Sequence, residues 1–128
     1  MGREFTIDTI HRLIVSKYFG EHFYSDVVDQ WKEMRAHPDF NPDFDLVSDL
    51  SGVTRFLLTT DELRSLLHIG DPMSPNSKRI MIATSDYVFG NLRMYGLIDW
   101  KDRGVTVVRN WKEAWDLLHH HDRDTAGK

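Results

Sequence analysis

Cysteine is missing from this chain of 128 residues. That absence removes disulfide frameworks, thiolate metal centres and cysteine nucleophiles from consideration. It also suits a reducing compartment, so a cytoplasmic location is expected. Basic charge is in short supply too: 16 Lys and Arg stand against 20 Asp and Glu, a formal net charge of -4. With no basic stripe to override it, that balance opposes phosphate backbones and anionic lipid, and nucleic acid is not an expected partner. No apolar run approaches the ~20 residues that span a bilayer. The opening Met1-Gly2-Arg3-Glu4-Phe5 lacks the basic-then-apolar pattern of a secretory signal.

The motifs of common chemistries are missing as well. There is no His-Glu-x-x-His pair, no Gly-x-Ser-x-Gly elbow, no P-loop and no dinucleotide-binding glycine pattern. Gly70 and the later Ser77-Lys78 are wrongly spaced for a phosphate cradle, and Pro75 deletes an amide that such a cradle needs. Asp39, Asn41, Asp43 and Asp45 alternate like the first half of a calcium loop. Phe44 and Leu50, however, stand where that loop requires glycine and a bidentate glutamate. His119, His120 and His121 are adjacent, and successive side chains on a helix point about 100° apart, so they cannot converge on one ion. The expectation is a non-enzymatic protein without cofactor or metal site.

Apolar material is plentiful. A hydrophobic fraction of 41% and 15 aromatic residues (four Trp, four Tyr, seven Phe) supply a packed core and exclude disorder. The length fits one domain, read here as residues 1–118, followed by a polar, flexible tail at 119–128.

Residues 4–8 and 13–18 read as two strands of a hairpin around the polar turn Asp8-Thr9-Ile10-His11-Arg12. A first helix is expected after Ser25 as N-cap, with Val27, Trp31 and Met34 on its apolar face and Pro38 as its stop. A strand over 45–50 follows. The second helix has the best-specified start: Thr59 as N-cap, Glu62 closing a capping box, and Leu58 facing Leu63 as a hydrophobic staple. A continuous apolar strand over 79–84 leads to a third helix, capped by Ser85 or Asp86 and carrying Val88, Phe89, Leu92 and Tyr95. A strand over 105–109 precedes a last helix with Asn110 as cap, Glu113 at the third position and the stripe Trp111, Ala114, Trp115, Leu118. Strands alternating with helices after an opening hairpin predict an α/β fold. Its mixed five-stranded sheet would be mostly parallel, with four helices.

That element order, together with the strand exit Asp49-Leu50-Ser51-Gly52-Val53-Thr54, the Phe89-Gly90 and Arg93-Met94-Tyr95 of the third helix, and the ending Glu113-Ala114-Trp115-Asp116-Leu117-Leu118, resembles the SpoIIAA-like (STAS) domains. The resemblance runs from about Phe5 to Leu118 and is strongest to stand-alone bacterial members of unestablished role. It implies a cytoplasmic regulatory domain that binds a protein partner, as the anti-sigma-factor antagonists do. In those, a serine at the start of the second helix is the phosphorylation switch. Thr59 and Thr60 stand at the matching place here, without the glycine after the pair and with Leu57-Leu58 in place of a polar lead-in.

One further constellation stands out. Arg93 interrupts an apolar helix between Leu92 and Met94, flanked by Gly90 and Gly96, which let a backbone or ligand approach closely. It pairs either with Asp49 or Asp86 at the sheet's C-terminal edge, or with an anion in a crevice between the second and third helices. That crevice would be lined by Asp49, Met73, Arg93, Met94, Tyr95 and Trp100, and would make the chain a binder of a small apolar or anionic ligand.

Overall fold

The computed structural model describes residues 2–69, 72–94 and 104–126, the side chains of 67, 68 and 120–126 excepted. Its first unit is a hairpin. The Asp8 carboxylate accepts the backbone N–H groups of Ile10 and His11, both at 3.0 Å, and folds the turn back on itself. Arg12 completes the turn at φ 54°, the left-handed region that favours glycine, and its guanidinium lies 5.0 Å from the centre of the Phe44 ring. The strands β1 (Gly2–Asp8) and β2 (Leu13–His22) that flank it are both longer than the sequence pattern suggests.

Helix α1 (Tyr24–Ala36) starts two residues earlier than expected, and its N-cap is Phe23, not Ser25. Phe23 has no side-chain acceptor, so the start is held from the other side: the Asp26 carboxylate accepts the Phe23 N–H at 3.0 Å. Its buried residues include Val27, Gln30 and Met34, with Trp31 half-buried beside them. Gln30 is fully buried and satisfied: its amide donates to the Glu4 carbonyl at 2.7 Å and the Ser16 hydroxyl at 2.9 Å, and its oxygen accepts from Arg3 at 3.2 Å. Arg3 also forks onto Glu33 at 2.7 and 3.0 Å. These bonds pin α1 to the hairpin. In the loop that follows, Asp43 and Asp45 accept from the Ser74 hydroxyl and the Lys78 N–H, so the acidic alternation there serves loop closure.

Strand β3 (Asp45–Phe56) doubles the expected length. The expected end at Leu50 rested on the polar Ser51-Gly52 pair, but β2 runs on alongside, pairing Phe19 with Gly52, Gly20 with Val53 and His22 with Phe56 across two register shifts. Asp49 is therefore a mid-strand residue and not a strand exit. Helix α2 (Thr60–Ile69) begins as its sequence dictates. Glu62 and Thr59 exchange hydrogen bonds at 2.9 and 3.1 Å, while Leu58 and Leu63 share one apolar cluster. Strand β4 (Arg79–Ile82) and helix α3 (Asp86–Met94) follow, with the Ser85 hydroxyl accepting the Val88 N–H at 3.1 Å as the cap. Strand β5 (Val105–Val108) leads to α4 (Trp111–Ala126), capped by Asn110 through the Glu113 N–H at 2.9 Å. The residues read as a polar tail from 119 onward continue this helix to Ala126.

The fold is α/β: among the described residues, a five-stranded mixed sheet in the order β1-β2-β3-β4-β5 and four helices. β1 and β2 pair antiparallel, and the other neighbours are parallel. When consecutive parallel strands are neighbours and each crossover is right-handed, every crossover helix falls on the same face. Accordingly Val27 of α1, Leu66 of α2, and Val88 and Leu92 of α3 pack with Tyr18, Leu50 and Val53 of the strands. Ile14, Met34 and Leu46 extend that layer with Phe44 and Met73. The last helix is free of the crossover rule and takes the other face, where Ala114 and Leu118 cover Leu13, Val47, Ile80, Ile82 and Val108. It leaves the β1–β2 half of that face open: Glu4, Thr6 and Phe19 are exposed there, and Val15 and Lys17 half-buried.

Candidate functional site

The parallel strands end at the edge where α2, α3 and α4 begin. Thr59 and Thr60 both stand exposed on that edge. The Thr59 hydroxyl is committed to the Glu62 N–H, and Asp61 and Glu62 already bring negative charge to the positive end of the helix. A phosphate on Thr59 would displace its own cap and meet two carboxylates. The edge is built of aromatic rings in sequence: Tyr18 to His22 at 4.7 Å, His22 to Phe56 at 5.4 Å, Phe56 to Tyr87 at 6.3 Å between ring centres. The Tyr87 hydroxyl accepts the Phe56 N–H at 2.9 Å, and the His22 carbonyl accepts the Leu57 N–H at 2.9 Å. Burial of His22 strips its imidazolium of water and pushes the pKa down to about 4, against the opposing pull of Asp26. Its Nδ1 is buried without a hydrogen-bond partner among the described residues. Burial also raises the Tyr18 phenol to about 12.

Arg109 closes the same edge. Its Nε donates to the Ala83 carbonyl at 2.9 Å, and its terminal nitrogen donates to the Thr84 carbonyl at 3.1 Å and to Asp86 at 2.6 Å. Its guanidinium lies 4.5 Å from the centre of the Phe89 ring, and that of Arg93 lies 5.7 Å from the same ring. The pairing expected of Arg93 with Asp86 is therefore made by Arg109, which β5 delivers from the neighbouring strand.

Asp49 is out of reach for a different reason. It is an odd-numbered residue of β3, like Val47, and points to the face that α4 covers. There it accepts the Ser51 N–H at 2.9 Å, the Ser51 hydroxyl at 2.6 Å and the Trp111 indole N–H at 3.0 Å. Its carboxylate thus ties α4 to the sheet, on the opposite side from α2 and α3. Met73 is buried among Ile14, Met34, Phe44 and Leu46, away from the C-terminal edge. Met94 and Arg93 are exposed on α3. Tyr95 and Trp100 lie outside the described residues. The crevice residues that can be placed are not brought together: Asp49 and Met73 belong to structural work elsewhere, and Arg93 and Met94 remain as neighbours on an open helix face.

The open half-face holds residues that the sequence reading passed over. A shallow depression of about 230 Å³ is lined by Glu4, Phe5, Thr6, Val15, Lys17 and Trp111. Trp111 stacks on Trp115 at 5.5 Å, and Trp115 on His119 at 5.7 Å, so the flank of α4 beside the depression is a row of rings. The signal was present as the alternation of Glu4 and Thr6, and of Val15 and Lys17, on strands whose other face carries Phe5, Ile7, Ile14 and Tyr18. Comparison of the chain with protein-family models and with curated proteins found no match to either.

Proposed function

We propose that this chain is a non-enzymatic regulatory domain that acts by binding another protein, in the manner of the SpoIIAA-like anti-sigma-factor antagonists that its element order resembles. A bacterial cytoplasm goes with that reading. The observation that carries it is the outer surface of α2 and α3. Their inner faces are packed on the sheet, yet Ile69, Tyr87 and Met94 remain 56%, 47% and 69% exposed. Exposed large apolar side chains of this kind are the composition of an interface centre. Thr60, exposed beside the capping Thr59, is the member of the pair open to modification within this reading.

The test is crosslinking in the source cells followed by mass spectrometry, with Ile69→Glu and Met94→Glu compared against Ile10→Glu. Ile10 is 87% exposed on the hairpin tip and serves as the control surface. The partner should be lost with the first two variants and kept with the third. Identical capture by all three would refute the assignment. A second reading, a binder of a small anionic ligand, is supported by the two guanidiniums against Phe89. A small molecule retained in native mass spectrometry and lost in Arg93→Ala would favour it over the first.

A further inference from the structure

We propose that the half of the sheet left open by α4 is the interface of a two-fold dimer of this chain. The surface is separate from the outer faces of α2 and α3, and the proposal stands independently of the function above.

Three observations carry it. First, α4 forms a step beside β1 and β2. Sheets stack about 10 Å apart, and a helix on a sheet rises by a similar amount, so a second sheet is the right thickness to fill the step. Second, the open face is self-complementary in charge. Glu4 and Lys17 stand directly opposite each other across β1 and β2, on the face that carries Thr6 and Val15. Neither side chain has a salt-bridge or hydrogen-bond partner among the described residues. An isologous interface uses one patch twice, so it needs both signs of charge placed symmetrically about the axis. An axis between the copies, parallel to β1 and β2 and midway between them, sets Glu4 over Lys17 of the partner subunit and Lys17 over Glu4 of the partner subunit. The same operation sets Thr6 over Val15 of the partner subunit.

Third, the open face ends on an exposed ring seated between glycines. Phe19, 39% exposed, has a glycine opposite it on each neighbouring strand, Gly2 on β1 and Gly52 on β3. A Cβ at Gly2 would collide with the Phe19 ring, and one at Gly52 would stand 3.2 Å from the Phe19 Cβ. The same axis brings β1 of the partner subunit against the flank of α4, where Trp115 is 42% exposed and stacked on Trp111. The exposed rings and the outer edge of β1 are covered together, which is how a sheet edge is kept from indiscriminate pairing.

Sedimentation velocity of the full chain over a concentration series tests this. The wild-type chain should dimerise. Lys17→Glu and Glu4→Lys should each weaken the dimer by at least about tenfold, since each places like charges at both symmetric contacts. An equimolar mixture of the two variants should then recover the dimer, because across a mixed pair every contact is again between opposite charges. That recovery cannot come from repair within one chain, where each variant still holds like charges across β1 and β2. A wild-type chain that stays monomeric up to about 1 mM would overturn the proposal. So would a mixture that sediments as the sum of its parts, or a monomer that carries a small molecule in the depression in native mass spectrometry.

Discussion

Lowering the pH from 7 to 5 should cost this domain about 2 kcal/mol through His22 alone. The imidazole ordinarily titrates at 6.5, and in the folded chain burial brings it to about 4. Tyr18 from β2 and Phe56 from β3 face it with ring edges, and Asp26 from α1 is the carboxylate that partly offsets the loss of water. A group whose folded pKa is depressed binds fewer protons in the folded state than in the unfolded one. Below 6.5 the unfolded chain takes up the proton and the folded chain does not, so stability falls with pH until the folded pKa is passed. At about 1.4 kcal/mol per pH unit, the full span to pH 4 is worth about 3 kcal/mol, of which about 2 is reached by pH 5. The assay is urea denaturation of wild type and His22→Phe at pH 7 and pH 5. Phenylalanine keeps an aromatic ring between Tyr18 and Phe56 and removes the titration. Other histidines and the carboxylates contribute equally to both proteins, so the difference between their pH responses isolates His22. The wild type should lose about 2 kcal/mol more than the variant. Equal losses would refute the reasoning and place the His22 ring in contact with water or an acceptor.

Thr59→Ala should destabilise the domain by about 1 kcal/mol and Thr60→Ala hardly at all, because only the first hydroxyl caps a helix; chemical denaturation distinguishes them. Arg109→Ala should cost on the order of 1–2 kcal/mol by the same assay, since it strands the Ala83 and Thr84 carbonyls, whereas Arg93→Ala should cost roughly 0.5 kcal/mol or less. The reverse order would mean that Arg93 holds the edge together. Asp49→Ala should cost about 2 kcal/mol by leaving the indole N–H of the half-buried Trp111 and the Ser51 groups without their acceptor, and should shift tryptophan emission. Unchanged emission would show that Trp111 does not depend on that bond.

The local signals in the chain were legible wherever a short-range rule governs. The box of Thr59 and Glu62, the Asn110 cap and the burial of Ala114 and Leu118 in α4 all follow from spacing, though Trp115 of the same stripe stands exposed, and the α/β order follows from the alternation of elements. The Phe23 start of α1 was hidden because the acceptor comes from Asp26 within the helix and not from the cap itself. The length of β3 was hidden because a polar Ser51-Gly52 pair reads as a turn unless the continuation of β2 beside it is known. That one misplaced strand end carried the candidate site with it. Asp49 was taken for a crevice residue at a strand terminus, when its parity within a longer strand sends it to the α4 face. The role of Arg109 was equally invisible, since it depends on which strand becomes the neighbour of β4.

Strand order and chain order coincide in this sheet, so each strand as it emerges during synthesis finds its partner already made. Contacts of low sequence separation form early, and assembly can proceed from the N-terminal hairpin outward. The exception is α4. Val47, Ile80, Ile82 and Val108 wait for it through the whole of that process, because its Ala114 and Leu118 come after every strand they cover. Docking of this helix completes the burial of those side chains, and Trp111 is placed to report it, gaining its bond to Asp49 at that moment. Until then the apolar half of that sheet face is bare, and a nascent copy is adhesive for as long as α4 is still to come.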